Sequence, residues 1–174
     1  SVINFIMAYD FQEHHELMIT CQDILVKLLN YLEFWKQKTG TRKIAALLVD
    51  LIGRILTSYE TLDERVALQN MLNRFNTPKI LISMFNSEEK NDSDSLLPKI
   101  QLLNLLLEGG NTTTQNAIHE IFVDDPNSEQ FFHKVNALIE HDIFRFEHEV
   151  GIAKTDPKSS EFTLNYLEML RLFC

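Results

Sequence analysis

Histidines are the residues of this sequence best suited to metal binding or to acid–base chemistry at neutral pH. Six are present. His141 and His148 lie seven residues apart, which on a helix separates them by roughly 10 Å along the axis, too far for a single zinc ion. His119-Glu120 is not followed by the second histidine, four residues on, that a metalloprotease helix needs. The spacing therefore predicts no metal site, and we expect no metal or other cofactor.

Carboxylates at Asp124, Asp125 and Glu129 supply oxygen atoms of the kind that calcium prefers. An EF-hand loop needs glycine at its sixth position and glutamate at its twelfth. Counting from either aspartate gives Glu129 or Gln130 at the sixth position, and no glutamate falls at the twelfth. An EF-hand is excluded. We interpret these acids as helix N-terminal residues, whose charge the helix dipole stabilises.

The run Glu108-Gly109-Gly110-Asn111-Thr112 has the glycines of a phosphate-binding loop. It lacks the lysine and the further glycine of a P-loop, and it follows a helical pattern rather than a strand. No nucleophile elbow, Cys/His pair or carboxylate pair in a recognisable frame is present in the sequence. We therefore expect that the chain is not an enzyme and that these glycines end a helix.

The segment around the two glycines predicts two helices joined by a tight reversal. Leucine and isoleucine surround the helix at 96–107 nearly completely, which is typical of a buried helix. Gly109 and Gly110 can adopt the left-handed conformation that ends a helix. Thr112 and Gln115 have the spacing of a capping box for the next helix. The pattern predicts an αα-hairpin whose central member is buried.

Apolar residues at helical spacing predict further helices on both sides of the hairpin, about eight in all. We expect helices over 11–37, 42–59, 62–75 and 77–85, a long helix from Asn127 or Ser128, and a last helix from near Ser160. Thr61 and Glu64 form a capping box. Three of these helices have predicted apolar faces. In the helix over 11–37 the face is Leu17, Cys21, Ile24, Leu28, Leu32 and Trp35, and in the helix over 42–59 it is Ile44, Leu48, Leu51, Ile55 and Tyr59. In the long helix from Asn127 or Ser128 the face is Phe132, Val135, Ile139, Ile143, Phe146 and Val150.

These helices predict a single all-α domain over 1–174. Residues 1–85 form helices one to four, 86–95 an exposed polar loop, and 96–174 helices five to eight. Successive helix pairs joined by short turns are typical of armadillo-like or HEAT-like solenoids. An irregular helical bundle is the alternative.

Composition sets further bounds. With 45% apolar and 24% charged residues, the 174-residue chain is typical of a globular domain. Its net charge of −9 argues against nucleic-acid binding, which needs a basic surface. Its apolar runs are shorter than the ~18 to 20 residues that span a bilayer. Cys21 and Cys174 are too few for a disulfide framework or a zinc site. The uncapped, apolar ends predict a fragment of a larger chain.

Two groups of residues are candidates for a partner surface. Lys36, Lys38, Arg42 and Lys43 cluster beside Gly40 at a turn between helices. They either complement a helix C-terminus or bind an anionic lipid or protein. Among twelve phenylalanines, those crowding the seventh helix cannot all share one face. They pack in the core, or Phe131 or Phe144 docks against a neighbouring domain or subunit.

Two separated blocks of sequence carry a resemblance to a known family. The first runs from Leu106 through Glu108, Gly109, Gly110, Asn111, Thr112 and Thr113 to Gln115. The second comprises Ser128-Glu129-Gln130-Phe131-Phe132 and Lys134. In order and spacing they resemble a cytosolic helical segment of the inositol trisphosphate receptors, intracellular calcium-release channels related to the ryanodine receptors. The resemblance covers about 100–146, with a weaker extension over 68–85.

The resemblance implies a function that the residues alone do not supply. It implies a regulatory or coupling segment of such a channel, on the cytosolic face of the endoplasmic reticulum or another intracellular membrane. Its partners would be other domains of the same chain and neighbouring subunits of a homotetramer, and the segment would not insert into the membrane. The alternative is a free-standing helical-repeat scaffold or adaptor in the cytoplasm, without channel activity.

Overall fold

The computed structural model describes residues 24–31, 42–59, 61–87, 93–126, 128–149 and 157–173. The side chains at 42, 43, 93, 94, 142, 145–149 and 157–160 lie outside that description. All regular structure within these ranges is helical, and none of it is strand. The prediction of an all-α fold is therefore confirmed, as a helical bundle or a solenoid.

Eight helical segments make up the described ranges. The first, α1, is the short segment 24–31. The others are α2 (Arg42–Ser58), α3 (Leu62–Arg74), α4 (Thr77–Ser87), α5 (Ser93–Leu107), α6 (Thr112–Asp124), α7 (Ser128–Glu149) and α8 (Pro157–Phe173).

Helix α5 lies at the centre of the core. It packs most extensively against α8 and next against α2, and it also contacts α4 and α6. Its apolar residues point in nearly all directions and are buried: Leu96, Leu97, Ile100, Leu102, Leu103, Leu106 and Leu107. The prediction of a buried central helix is confirmed, because only a helix surrounded by others can bury so many apolar residues.

Helices α3 and α4 differ in how they are buried. Helix α4 has 11 residues, of which seven are buried. Helix α3 has 13 residues and buries only Leu68, Gln69 and Leu72. Thr61 is its N-cap, as the predicted capping box requires: Thr61 Oγ1 accepts a hydrogen bond from Glu64 N, while the Glu64 side chain accepts from the Thr61 hydroxyl.

Most of the fully buried residues in three helices lie one position away from the predicted faces. Helix α1 buries Leu25 and Leu29, and α2 buries Ala45, Val49, Ile52 and Leu56. Helix α7 buries Phe131, Val135 and Leu138, while Phe132 and Ile143 are exposed. Each helix carries two adjacent apolar rows, and a shift of one residue rotates the buried face by about 100°. Periodicity identified the helices, and the predicted rows border the most buried ones: Leu48, Ile55, Tyr59 and Ile139 are partly buried against the core, and Val135 is fully buried.

Several helix boundaries also differ from the predicted ones. Helix α4 extends to Ser87 and α5 begins at Ser93, so both ends of the predicted loop over 86–95 are helical, and 88–92 lie outside the described residues. Asp124 is the last residue of α6 and Asp125 is its C-cap, so only Glu129 lies in the first turn of a helix. The N-terminal explanation for the two aspartates is therefore wrong. The predicted helix over 11–37 is described only at 24–31.

Candidate functional site

The turn between α5 and α6 contains most of the residues of the first resembling block. Gly109 and Gly110 adopt φ values of +79° and +72°, in the left-handed region that glycine enters without steric cost. Gly110 N donates to Leu107 O at 3.2 Å, which closes the end of α5. The predicted role of the two glycines as a helix terminator is confirmed.

Asn111, rather than Thr112, is the N-cap of α6. Its Oδ1 accepts hydrogen bonds from Thr113 N at 3.1 Å and Thr114 N at 3.2 Å. Thr112 is the first helical residue and is exposed. The predicted capping box that begins at Thr112 is therefore wrong. Asparagine is as strong a cap as serine or aspartate, and it lies one residue closer to the glycines.

A network of polar side chains from α3 holds this turn. Gln69 is 1% exposed, and its Nε2 donates to Leu105 O at 2.7 Å and to Glu108 O at 3.0 Å. These carbonyls are at the C-terminal end of α5, where helix carbonyls lack intrahelical partners. Gln69 Oε1 in turn accepts from Asn111 Nδ2 at 2.9 Å. One glutamine thus connects the end of one helix to the cap of the next.

Three further residues extend the network. Asn111 Nδ2 also donates to Asn70 Oδ1 at 3.0 Å. Arg65 Nη1 donates to Glu108 Oε1 at 3.2 Å in a half-exposed ion pair. We call Arg65, Gln69, Asn70, Glu108 and Asn111 the polar clasp. Its chemistry is structural, because its amide groups neither titrate near neutral pH nor act as nucleophiles.

The clasp was missed by the sequence analysis on its α3 side. Gln69 is more than 35 residues from its partners Leu105 and Glu108, so no local pattern connects them. One signal was available, since Gln69 follows the apolar Leu68 and precedes Leu72 on the same side of α3. A polar residue beside a buried row indicates a buried hydrogen-bonding partner.

The second resembling block packs α7 onto α4 and α6. Phe131 is fully buried, and its ring centroid lies 4.6 Å from that of Phe85 and 5.3 Å from that of Phe122. Lys134 Nζ donates to Phe85 O at 3.0 Å and to Asn86 O at 2.6 Å. A lysine at these carbonyls complements the negative end of the α4 dipole.

Gln115 of the first resembling block and Phe132 of the second also contact other helices. Gln115 Nε2 donates to Leu172 O at 2.8 Å, which links α6 to the end of α8. The ring of Phe132, a residue that is 42% exposed, lies 4.8 Å from that of Phe122. Both blocks are thus used to join helices.

The predicted partner surface is only partly present in the described residues. Lys36 and Lys38 lie outside them, as do the side chains of Arg42 and Lys43. Arg42 and Lys43 are the first residues of α2, and the end of the preceding helix lies outside the described residues, so both interpretations of this cluster stay predictions. Phe131 is a core residue, so its prediction as a docking residue is wrong. Phe144 is 59% exposed, and docking there stays a prediction.

A groove of about 640 Å³ runs between α2 and α8 across α5. Its rim carries two ion pairs, Arg54 Nε to Asp50 Oδ2 at 2.8 Å and Arg171 Nη2 to Glu168 Oε1 at 2.6 Å. The hydrogen bond from Arg171 holds the pKa of Glu168 below its ordinary value and raises that of Arg171. Both arginines are thus paired with carboxylates of their own helices.

A second pocket of about 580 Å³ lies between the α3–α4 turn and the C-terminal end of α6. Glu120, Asp124 and Asp125 line it together with Lys79. Across the part of the chain that the structure describes, no group of three histidine, cysteine or carboxylate residues is arranged to hold a metal ion.

Comparisons with known proteins give no assignment. No protein-family model matches the chain, and no curated protein matches it. None of the helices in the described ranges is both long and apolar enough to cross a membrane.

Proposed function

We propose that this chain is a cytosolic coupling segment of an intracellular calcium-release channel similar to the inositol trisphosphate receptors. It acts through contacts with other domains of the same polypeptide and with neighbouring subunits. It binds neither the messenger nor the permeating ion, and it performs no chemistry.

One observation carries the proposal: the residues of both resembling blocks are used to join helices. Glu108 and Asn111 connect the α5–α6 turn to α3, while Phe131 and Lys134 connect α7 to α4. Such joints fix the positions of helices relative to one another. A segment built in this way can pass on the movement of one neighbour to another as a rigid body.

The same joints would serve a free-standing helical scaffold, the competing function. A coupling segment differs in its effect on a distant pore. It changes how much calcium is released at a given messenger concentration without changing how tightly the messenger binds.

The experiment uses the full-length protein in sealed membrane vesicles and measures messenger binding and calcium release separately. Phe144→Ser alters the exposed residue of the predicted partner surface. Val123→Ser is the matched control, since Val123 is 68% exposed on α6 and lies outside that surface. We expect Phe144→Ser to shift half-maximal release by at least about threefold, a loss of about 0.7 kcal/mol of coupling, with unchanged messenger affinity.

The control is expected to match the parent in both measurements. If neither the parent protein nor any variant releases calcium from the vesicles, the channel function is contradicted and the scaffold function remains. Unchanged release with Phe144→Ser would contradict docking at this surface.

A further inference from the structure

Helix α3 is attached to the rest of the fold in a different way from its neighbours. Only two of its 13 residues, Leu68 and Leu72, are apolar and buried. Helix α4 buries six apolar residues besides Thr77 in a shorter length. Since burial of apolar surface is the main source of stability, α3 has less of it to lose on separating from the core.

Besides Leu68, Leu72 and the partly buried Met71, which packs against the core, polar side chains attach α3 to the rest of the fold. Besides the bonds of Arg65, Gln69 and Asn70 in the polar clasp, Asn73 Nδ2 donates to Thr113 O at 3.4 Å. Such bonds add little net stability, because water offers equivalent bonds to the separated groups. Isolated helices shorter than about 12–15 residues are only marginally stable in water. Helix α3 has 13 residues, so its own backbone hydrogen bonds add little stability.

The clasp is also incompletely satisfied. Among the described residues, Arg65 Nε is a buried donor without a hydrogen-bond partner. A buried group left unpaired retains its full desolvation cost. The attachment is therefore weaker than the number of hydrogen bonds in the clasp suggests.

Both ends of α3 are sharply defined. Thr61 caps its start, and Asn76, just beyond its end, adopts a φ of +56°, a conformation that asparagine tolerates better than most residues. Separation of the helix breaks one side-chain bond to α4, which Thr77 Oγ1 donates to Leu72 O at 2.7 Å.

We propose that α3 is a detachable strap, which opens as a unit while α4 to α8 stay packed. Opening uncovers the carbonyl oxygens of Leu105 and Glu108 at the end of α5, and it frees Asn111 to act as a cap alone. The strap is a conformational device within this fold and does not depend on the proposed channel function.

Hydrogen exchange of backbone amides in the 174-residue chain tests the strap. Gln69→Leu removes three hydrogen bonds of the clasp, while Asn111 Nδ2 keeps its bond to Asn70 Oδ1. Gln101→Leu is the matched control, because Gln101 Nε2 joins α5 to Glu161 Oε1 of α8 at 3.1 Å and does not contact α3.

In the parent chain we expect α3 amides to exchange at least about tenfold faster than those of α5 and α8, with a shallower dependence on denaturant. Gln69→Leu should raise exchange in α3 by about a further tenfold and leave α8 unchanged. Gln101→Leu should not alter exchange in α3.

Two results would overturn the strap. The first is exchange in α3 at the same rate and with the same denaturant dependence as in α5 and α8 of the parent chain. The second is Gln69→Leu raising exchange equally in every helix. Should Gln69→Leu fail to fold, Asn73→Ala provides a milder change, and the parent chain decides the first comparison without any variant.

Discussion

At the scale of single residues, the glycines of the α5–α6 turn have different surroundings. A β-carbon at Gly109 would lie 2.8 Å from Leu62 Cδ1, whereas one at Gly110 would meet nothing within 4 Å. Both positions have positive φ. Each alanine substitution should therefore cost about 1–2 kcal/mol of unfolding free energy. Gly109→Ala should cost more than Gly110→Ala because of the close approach to Leu62. The difference should be small, because the half-exposed Leu62 side chain can rotate away.

Gly53→Ala is the control for this pair, measured by the same denaturant titration. Gly53 lies inside α2, and an added β-carbon would be 3.5 Å from Leu105 Cδ1, an ordinary contact. Alanine should stabilise the chain by about 1 kcal/mol, since glycine is a poor helix former. Equal effects at all three glycines would contradict the assigned backbone conformations.

Tyr166 gives the chain a predictable response to alkali. Burial raises the pKa of its hydroxyl above the ordinary value of 10.0. Above pH 10.0 the unfolded chain releases this proton while the folded chain retains it, so folding becomes less favourable. The free energy of unfolding should therefore hold its full value below that pH and fall as the pH rises beyond it.

Tyr166→Phe should flatten this alkaline decrease, as measured by denaturant titrations at several pH values. Tyr31 is 58% exposed, so Tyr31→Phe is the control and should retain the decrease. An unchanged decrease in Tyr166→Phe would show that burial of this hydroxyl has no part in it.

At the scale of elements, the observed N-cap of α6 is Asn111, whereas the sequence predicted Thr112. Asn111→Ala removes two bonds to the helix N-terminus and two to α3. We expect a loss of about 2 kcal/mol or more, the upper end for a cap. Thr112→Ala should change stability by less than about 0.5 kcal/mol, as is usual for an exposed position.

Thermal or denaturant unfolding of the two variants provides the measurement. Equal losses would indicate that Thr112 shares the capping role after all. A larger loss for Thr112→Ala would restore the capping box predicted from the sequence.

The same element shows what could be predicted from the sequence. The glycines and the leucine-rich helix before them identified the turn, because both signals are local. Whether Asn111 or Thr112 caps α6 depends on contacts that are distant in sequence. Asn111 is held by Gln69 and Asn70 of α3, and contacts across some 40 residues leave no pattern in a single sequence.

Helix faces were a second limit of the prediction. Helix α2 was identified within one residue of its observed end, yet its buried row is Ala45, Val49, Ile52 and Leu56 rather than the row beside it. With apolar residues on two neighbouring rows, periodicity alone does not select one of them. The decision depends on where α5 lies, which is a property of the fold.

At the scale of the whole molecule, two sets of contacts join helices around the same core. The clasp connects α3 to the α5–α6 turn, and Phe131 with Lys134 connects α7 to α4. The contacts of Phe131 and Lys134 hold α7 and α4 together as one body, whereas the clasp holds α3 less firmly. That property is suited to the coupling role proposed for the chain.

The most direct test of the channel function is the complete coding sequence of the polypeptide that contains this segment. The account predicts several helical spans of about 20 apolar residues with a pore loop between two of them, towards the C-terminal end. A complete sequence that contains only further helices without such spans would contradict the channel function and leave a helical scaffold.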